Sequence, residues 1–333
     1  MLAALKFNGG IVVDSSIENY IDEYLLIIDE HLSELGVPIY DRFLRASHLF
    51  VKYFVVTTSV GSKEDFLASK GFSECIIPLV KNWYDKYYEL LAENPKSFIL
   101  QGLITIREQP TLLNFPSSIS IVEEEGKSAW LKFVDHLDNS ENIQEMIQGR
   151  NILLNKLEEP HKANVENQIS IVISRLRSIS LNLNVLKIDE KTRKMAKSIV
   201  GHFEKATIDI VSYDSERVAT ACWEIHLAIE KVFKVYLMQK TGNFKLIHVL
   251  KDLYKLAVKE TDIEFVGVDR ELVNSLPKNA ISLRYAESTI TTMDAVDFYN
   301  KGLLIVHAVS DNLDREHDFA NSSILFNKPA WAK

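Results

Sequence analysis

The chain has 333 residues, 47% of them hydrophobic, with only 12 Gly and 8 Pro: enough for two domains, and a composition that points to a helix-rich, well-packed protein. A net charge of −8 excludes an overall electrostatic footprint for nucleic acid, so any RNA or DNA contact has to be a local basic patch. With only Cys75 and Cys222, both in contexts that read as core, a disulfide scaffold and a cysteine-rich metal centre are excluded, and a reducing, cytoplasmic setting is expected.

In chain order, LAALKF-NGG-IVVD sets Asn8-Gly9 between two short apolar runs, a local signal for a β-hairpin. Met1 to Leu5 is followed at once by Lys6 and this turn, so no secretory signal is expected there. Apolar runs such as LLII at 25–28 are far too short to span a bilayer, and no membrane contact is expected. A helix is predicted from about Ser16 to Leu35, with Tyr20, Tyr24, Ile27, Ile28 and Leu32 towards the core and Gly36 and Pro38 ending it. A second helix starts at Pro38 and carries DRFLRASHLFVKYFVV. There Arg42 and Arg45 read as surface charges and His48 as a helix-face residue. Ser62 to Asp65 resembles a capping box for a short third helix. The aromatic cluster Trp83, Tyr84, Tyr87 and Tyr88 falls on a fourth. Such a cluster could stack bases, but on an amphipathic helix it reads as core.

From about 97 to 135 the texture turns to β, with Phe98–Arg107, Ile119–Glu123 and Ala129–Val134 as strands and EEEGKS as a hairpin turn. A further helix over Ala163–Leu183 has an apolar stripe through Val165, Ile169, Val172, Ile173, Leu176 and Ile179, with Arg175 and Arg177 on its polar side. Asn182, Asn184 and the stretch Lys187–Glu190 weaken the helix. They place the expected boundary near 185–190, between an N-terminal helical domain (1–187, with the β insertion) and a helical bundle (188–315), followed by a tail (316–333).

Helices are predicted at about 191–211, 214–240, 245–259, 269–286 and 292–313. The second is the longest: Asp214 or Ser215 can cap it, Gly242 can end it, and Ala221, Ile225, Ala228, Val232, Val235 and Met238 form its buried stripe. Beside that stripe stand Glu230 and Lys234, one turn apart. His202, His226, His248 and His307 are scattered through the bundle without acidic i+3 partners. They read as satisfied polar positions, and neither a metal nor a cofactor is expected.

The fold expected overall is mainly α: an N-terminal helical domain with a small β-sheet, and a C-terminal up-and-down bundle. Within the bundle, AIEKVFKVYL ending in TGN, then His248 in KLIHVLKDLYKLA, then Ser282-Leu283-Arg284-Tyr285-Ala286-Glu287, then AVDFYNKGLLIVHAVSDNL, occur in an order that resembles the HEPN domain. In that comparison His248 matches the family's HxL helix start, and Arg284-Tyr285-Ala286 its RYP segment, with Ala in place of Pro. The resemblance covers about 190–315, and the N-terminal part resembles no family.

HEPN ribonucleases carry Arg-x4–6-His, in which the Arg holds the phosphodiester and the His exchanges a proton. Counting from Arg284, the His positions hold Thr289, Ile290 and Thr291. Arg42 and His48 satisfy the spacing, but in the wrong region, where chance supplies such a match. The resemblance therefore implies an RNA- or nucleotide-binding domain without that nuclease site, in a phage-defence, toxin–antitoxin or stress setting, commonly a homodimer through the bundle. Arg284, Tyr285, Lys234 and His248, with Glu230, are the residues expected near its groove. Two alternatives stay open. One is a ribonuclease toxin with a rearranged site in which His248 is brought to Arg284. The other is an assembly or sensor subunit acting through a partner protein. For Glu230 and Lys234, an internal i,i+4 ion pair is an equally available reading.

Overall fold

The computed structural model describes residues 6–7, 17–58, 61–92, 99–148, 154–243, 245–277, 282, 284–285 and 289–327. The Asn8-Gly9 turn and Ala286 lie outside them, as does the side chain of Tyr20. The chain divides into two compact units: Met1–Ser97 with Val122–Ala129 and Leu325–Lys333, and Phe98–Ile121 with Trp130–Ile324.

In the first unit, β1 (Lys6–Phe7) pairs antiparallel with β2 (Val55–Thr57), and among the described residues four α-helices surround a core of their own. α1 (Ile17–Glu34) ends where Gly36 takes φ 68° and Val37 N–H returns to Leu32 O at 3.0 Å. Leu25, Ile28 and Leu32 are buried at i, i+3 and i+7, whereas Ile27 lies off that stripe and is exposed, which corrects the expected core face. α2 (Ile39–Phe54) carries a second correction. Arg42 is buried, not a surface charge: its Nη1 donates to both oxygens of Asp29 at 3.1 and 3.2 Å and its Nε to Val37 O at 2.6 Å. Tyr88 O–H completes the Asp29 carboxylate at 2.5 Å. Arg45 and His48 are exposed, as expected.

α3 (Lys63–Leu67) opens on the predicted capping box, with Ser62 and Asp65 bonded reciprocally. One π-turn over Phe72–Ile76 precedes α4 (Ile77–Tyr88). The residue it inserts turns Cys75 outward, so this thiol is exposed where the sequence read core. Of the aromatic cluster on α4, Trp83 and Tyr84 are buried and Tyr87 is exposed.

The second unit is built on a hairpin and a helical bundle. β3 (Ile99–Ile106) and β4 (Gln109–Pro116) form a two-stranded antiparallel ribbon that pairs Ile106 with Gln109, closing on Arg107 and Glu108, both at positive φ. β4 was not read from the sequence: its turn lacks the Asn-Gly signal, and Pro110 and Pro116 sit within it. Both prolines are tolerated because alternate residues of an antiparallel ribbon turn their peptide groups outward. Several of those outward groups find partners. Leu103 N–H donates to Tyr299 Oη (3.3 Å), Thr105 N–H to Gln168 Oε1 (2.9 Å), and Leu112 O accepts from Gln148 N–H (2.9 Å). Pro116 O accepts from Arg177 Nη2 at 2.7 Å.

α5 (Ile143–Met146) is a single turn, and α6 (Glu159–Asn184) lays Val172 and Leu176 against the ribbon at Gly102, where a Cβ would collide with Val172. α7 (Glu190–Ile210), α8 (Ser215–Thr241), α9 (Leu250–Thr261), α10 (Arg270–Asn274) and α11 (Thr292–Asp311) follow. Gly302 of α11 lets that helix approach α8, since a Cβ there would meet Ile225 at 2.5 Å. One continuous core runs from Leu100 of β3 through α6, α7 and α8 to Leu313. The boundary read near 185–190 therefore falls inside this unit, because the apolar face of α6 is covered by the bundle and the ribbon. Arg177, placed on the polar side of α6 by sequence, is fully buried; it forks onto Glu141 at 2.6 and 2.7 Å and also reaches His136 O at 2.6 Å.

β5 (Ile119–Glu124), β6 (Ser128–Phe133) and β7 (Ser322–Asn327) make a three-stranded sheet in that order. Gly126, at φ 72°, turns EEEGKS between the first two strands, and β7 comes from the segment read as a tail. No helix among the described residues is long and apolar enough to cross a membrane.

Replacing Arg177 by Ala should strand the Glu141 carboxylate and the Pro116 and His136 carbonyls, at a cost of about 3–5 kcal/mol. Urea unfolding of the two proteins measures it, and a difference below about 1 kcal/mol would contradict the role given to this side chain.

Candidate functional site

α8 is where the polar chemistry of the bundle collects. Asp214 caps it, accepting from the N–H groups of Glu216 (3.0 Å) and Arg217 (2.9 Å), and Gly242 ends it at φ 70°. Both were legible in the sequence. The helix is covered along nearly its whole length, yet it carries Glu224, His226, Glu230 and Lys234 as buried residues. Ionisable groups so placed need partners, because an unpaired buried charge costs several kcal/mol.

Glu230 gathers three cationic or hydrogen-bonding neighbours. Lys234 Nζ donates to its Oε1 at 2.8 Å, His248 Nδ1 lies 3.1 Å from the same oxygen, and His226 Nε2 is 3.6 Å from Oε2. Burial raises the pKa of the Glu230 carboxyl. The hydrogen bonds from His226 and Lys234, with the charges of Lys234 and His248, outweigh that and bring it down to about 2. Lys234 and Glu230 are only 5% and 7% exposed. Neither therefore stands open to a groove where the sequence placed them, since the i,i+4 spacing lets each neutralise the other inside the bundle. His248 differs: it precedes α9, and its side chain is 73% exposed while one ring nitrogen rests on Glu230.

Around Glu224 lies a second set. His202 Nδ1 is 2.6 Å from Oε2, and Lys205 bonds Oε1. Lys231 Nζ sits 2.7 Å from His202 Nε2 and donates to Ser198 at 2.8 Å. Burial pushes the His202 imidazolium and the Lys231 ammonium down. Glu224 ionises more readily than usual, because the hydrogen bonds from Lys205 and His202 overcome its burial. This cluster is internally satisfied.

Arg284 and Tyr285, the other two residues singled out, are exposed. The Arg284 guanidinium lies over the Trp223 ring, 5.5 Å from its centroid, and 5.6 Å from that of Tyr285. Trp223 in turn stacks on His226, with ring centroids 5.8 Å apart and planes 7° from parallel. A continuous path thus joins the surface arginine to the buried carboxylate: Arg284, Trp223, His226, Glu230. Sequence reasoning missed Trp223 and the role of His226. The available signal was His226, Glu230 and Lys234 recurring at four-residue steps in a largely buried helix, with Trp223 one turn before. His226 Nδ1 is buried without a hydrogen-bond partner among the described residues. Arg284 makes no ion pair among them.

At the positions where a HEPN ribonuclease would hold its His, Thr291 is the N-cap of α11: its Oγ1 accepts from Asp294 N–H at 3.1 Å and donates to Asp294 Oδ2 at 2.7 Å. Among the described residues no group of three or more His, Cys, Asp or Glu is arranged to hold a metal ion.

Set beside known families, residues 210–312 match the model of the HEPN domain, and the N-terminal part matches none. The match spans the described path from Trp223 to Arg284 and includes α8, α9, α10 and α11. No curated protein and no solved structure matches the chain. A HEPN domain points to RNA- or nucleotide-related function, often in ribonucleases and toxins.

The depressed ionisation of Glu230 gives the site a signature in acid. Its folded-state pKa lies below the ordinary 4.5, so its stabilising contribution is complete above about pH 4.5 and is lost as pH falls towards about 2. Glu230→Gln should lower stability near neutral pH by roughly 3–5 kcal/mol, because the buried carboxylate that Lys234, His248 and His226 approach loses its charge. It should also lose less stability than wild type across that acid window. Equal acid dependence of the two proteins in urea melts would contradict the assignment.

Proposed function

Taking a HEPN domain over residues 210–312 as the premise, we propose that this chain binds RNA or a nucleotide without cleaving it. Arg284, Tyr285 and Trp223 form the contact surface. One observation carries the reading: Arg284 is an exposed guanidinium, lying over two aromatic rings, with no carboxylate bound to it among the described residues. A planar fork of donors suits a phosphate, and an aromatic face beside it suits a base. Stacking on Trp223 fixes the guanidinium while leaving its outer edge free. His248, largely exposed and hinged on Glu230, stands as a further donor at the rim. Lys234 and Glu230 support the surface from beneath, holding His226 and, through it, Trp223.

Non-cleavage is favoured because Thr289, Ile290 and Thr291 occupy the positions of the family's catalytic His. A second reading has one observation behind it. His248 Nδ1 rests on a carboxylate, the arrangement that orients a general-base imidazole, so a rearranged ribonuclease would use His248 with Arg284. An assembly or sensor subunit, which would need no ligand at all, is the third. The setting of phage defence, toxin–antitoxin or stress response follows from the HEPN match alone. The scarcity of cysteine supports a cytoplasmic one.

Arg284→Ala separates these readings. Removing an exposed side chain should leave the melting temperature almost unchanged, while affinity for a short single-stranded RNA or a nucleotide falls about ten- to hundredfold, the scale of one charge-assisted hydrogen bond. Fluorescence anisotropy and thermal melts give both numbers. Unchanged affinity would contradict the binding surface. Dose-dependent RNA cleavage in EDTA that Arg284→Ala abolishes would favour the rearranged ribonuclease instead.

A homodimer through the C-terminal bundle belongs to the same proposal. Leu246, Val249 and Val266, all near α9, are 84%, 56% and 84% exposed, apolar area that a second copy would cover. Light scattering at high micromolar concentration should give twice the 38.0 kDa chain mass, and a monomer there would contradict it.

A further inference from the structure

Away from the Arg284 surface, a cavity of about 430 Å³ opens between β3, α6 and α11. Val172 and Val296 form its buried floor, and Ile171 and Met293, 38% and 43% exposed, form its apolar rim. Arg175 of α6 and Asn300 of α11 line it from opposite helices, and Thr105 and Gln168 also line it but are bonded to each other at 2.9 Å. Asp297 also lines it, but its carboxylate holds Lys301 at 2.6 Å.

Arg175 is the unusual member. It is half-buried, and among the described residues it makes no hydrogen bond and no ion pair; burial alone pushes its guanidinium pKa down. Its neighbours are treated differently. Arg177, one residue beyond Leu176, has the Glu141 carboxylate and two carbonyls, and Lys301 of α11 has Asp297. The uncompensated charge of Arg175 reaches His307 on α11, where it helps to hold the imidazolium below its usual range, after burial. A guanidinium kept half out of water with its donors free is suited to binding an anion. The size of the cavity is that of a small-molecule site, and its lining sets four apolar side chains beside the polar ones.

We propose that this cavity binds a small apolar carboxylate, its carboxylate forked onto Arg175 with Asn300 alongside, and its hydrocarbon body against Val172, Val296, Ile171 and Met293. The charge count favours a monoanion. One free cation faces the ligand and one carboxylate, Asp297, already lines the wall, so a phosphate dianion would be left with uncompensated charge beside Asp297. The site does not depend on the Arg284 surface, and its test does not involve RNA.

Calorimetric titration and thermal melts of the full chain with hexanoate and with benzoate, beside phenyl phosphate, inorganic phosphate and benzyl alcohol, test the proposal. The two carboxylates should bind and raise the melting temperature, and the phosphates and the neutral alcohol should not. Arg175→Met should weaken carboxylate binding more than tenfold. Should that variant fail to fold, Met293→Trp, a change on the exposed rim, should block the cavity and abolish binding with the fold intact. Arg284→Ala should leave carboxylate binding unchanged. No carboxylate binding at millimolar concentration, binding that survives both Arg175→Met and Met293→Trp, or phosphates bound as well as carboxylates would each overturn the assignment.

Discussion

A helix buried on all sides can carry charge only where each charge meets a counterpart, and α8 carries four ionisable residues through the core of its unit. That constraint organises its surroundings. Glu224 is met by His202 and Lys205 from α7, and Glu230 by Lys234 from its own next turn and by His248 ahead of α9. The helix therefore cannot rotate or slip by a residue without separating several pairs at once, which fixes its register more tightly than its apolar stripe alone would. His226 stands apart. One ring nitrogen approaches Glu230 while the other is buried unpartnered, and its face is spent on Trp223, the ring that carries Arg284. The place where internal pairing is incomplete is the place where the surface is most suited to a ligand.

The β3–β4 ribbon answers a related constraint. Two strands alone leave two unpaired edges, and a bare edge in a packed unit is costly. Here side chains from α6 and α11 bond to both: Gln168 and Tyr299 reach one edge, and Arg177 reaches Pro116 on the other. These bonds reach across nearly two hundred residues of chain, so the ribbon, α6 and the bundle share one core, and the HEPN-matching segment is the C-terminal part of a larger unit.

Much of this was legible in the sequence where the signal is local. The long helix with its Asp214 cap and Gly242 terminus, the Ser62 capping box, the turn at Gly126 and the order of helices that resembles HEPN all depend on residues a few positions apart. The domain boundary was not legible, because Asn182 and Asn184 weaken a helix locally while its apolar face is claimed by elements far away in sequence. Arg42 and Arg177 were misread as surface charges for the same reason: Asp29 and Glu141 lie too far off to be recognised as partners. β4 was lost to its two prolines, and Cys75 to a π-turn that no periodicity announces. Of the proposed contact residues, Arg284 and Tyr285 were expected from the family likeness, whereas Trp223 needed coordinates to show which ring lies under the arginine.

In the proposed function Trp223 presents Arg284 to a nucleic-acid or nucleotide ligand, so that the two act as one unit. A double-mutant cycle on RNA affinity tests this most directly, using Trp223→Ala, Arg284→Ala and both together. If the account holds, the double variant binds little worse than either single one, with a coupling energy of about 1 kcal/mol or more, as for a supported cation over an aromatic face. Losses that add to within about 0.5 kcal/mol, or a wild-type protein that binds no RNA or nucleotide, would contradict it.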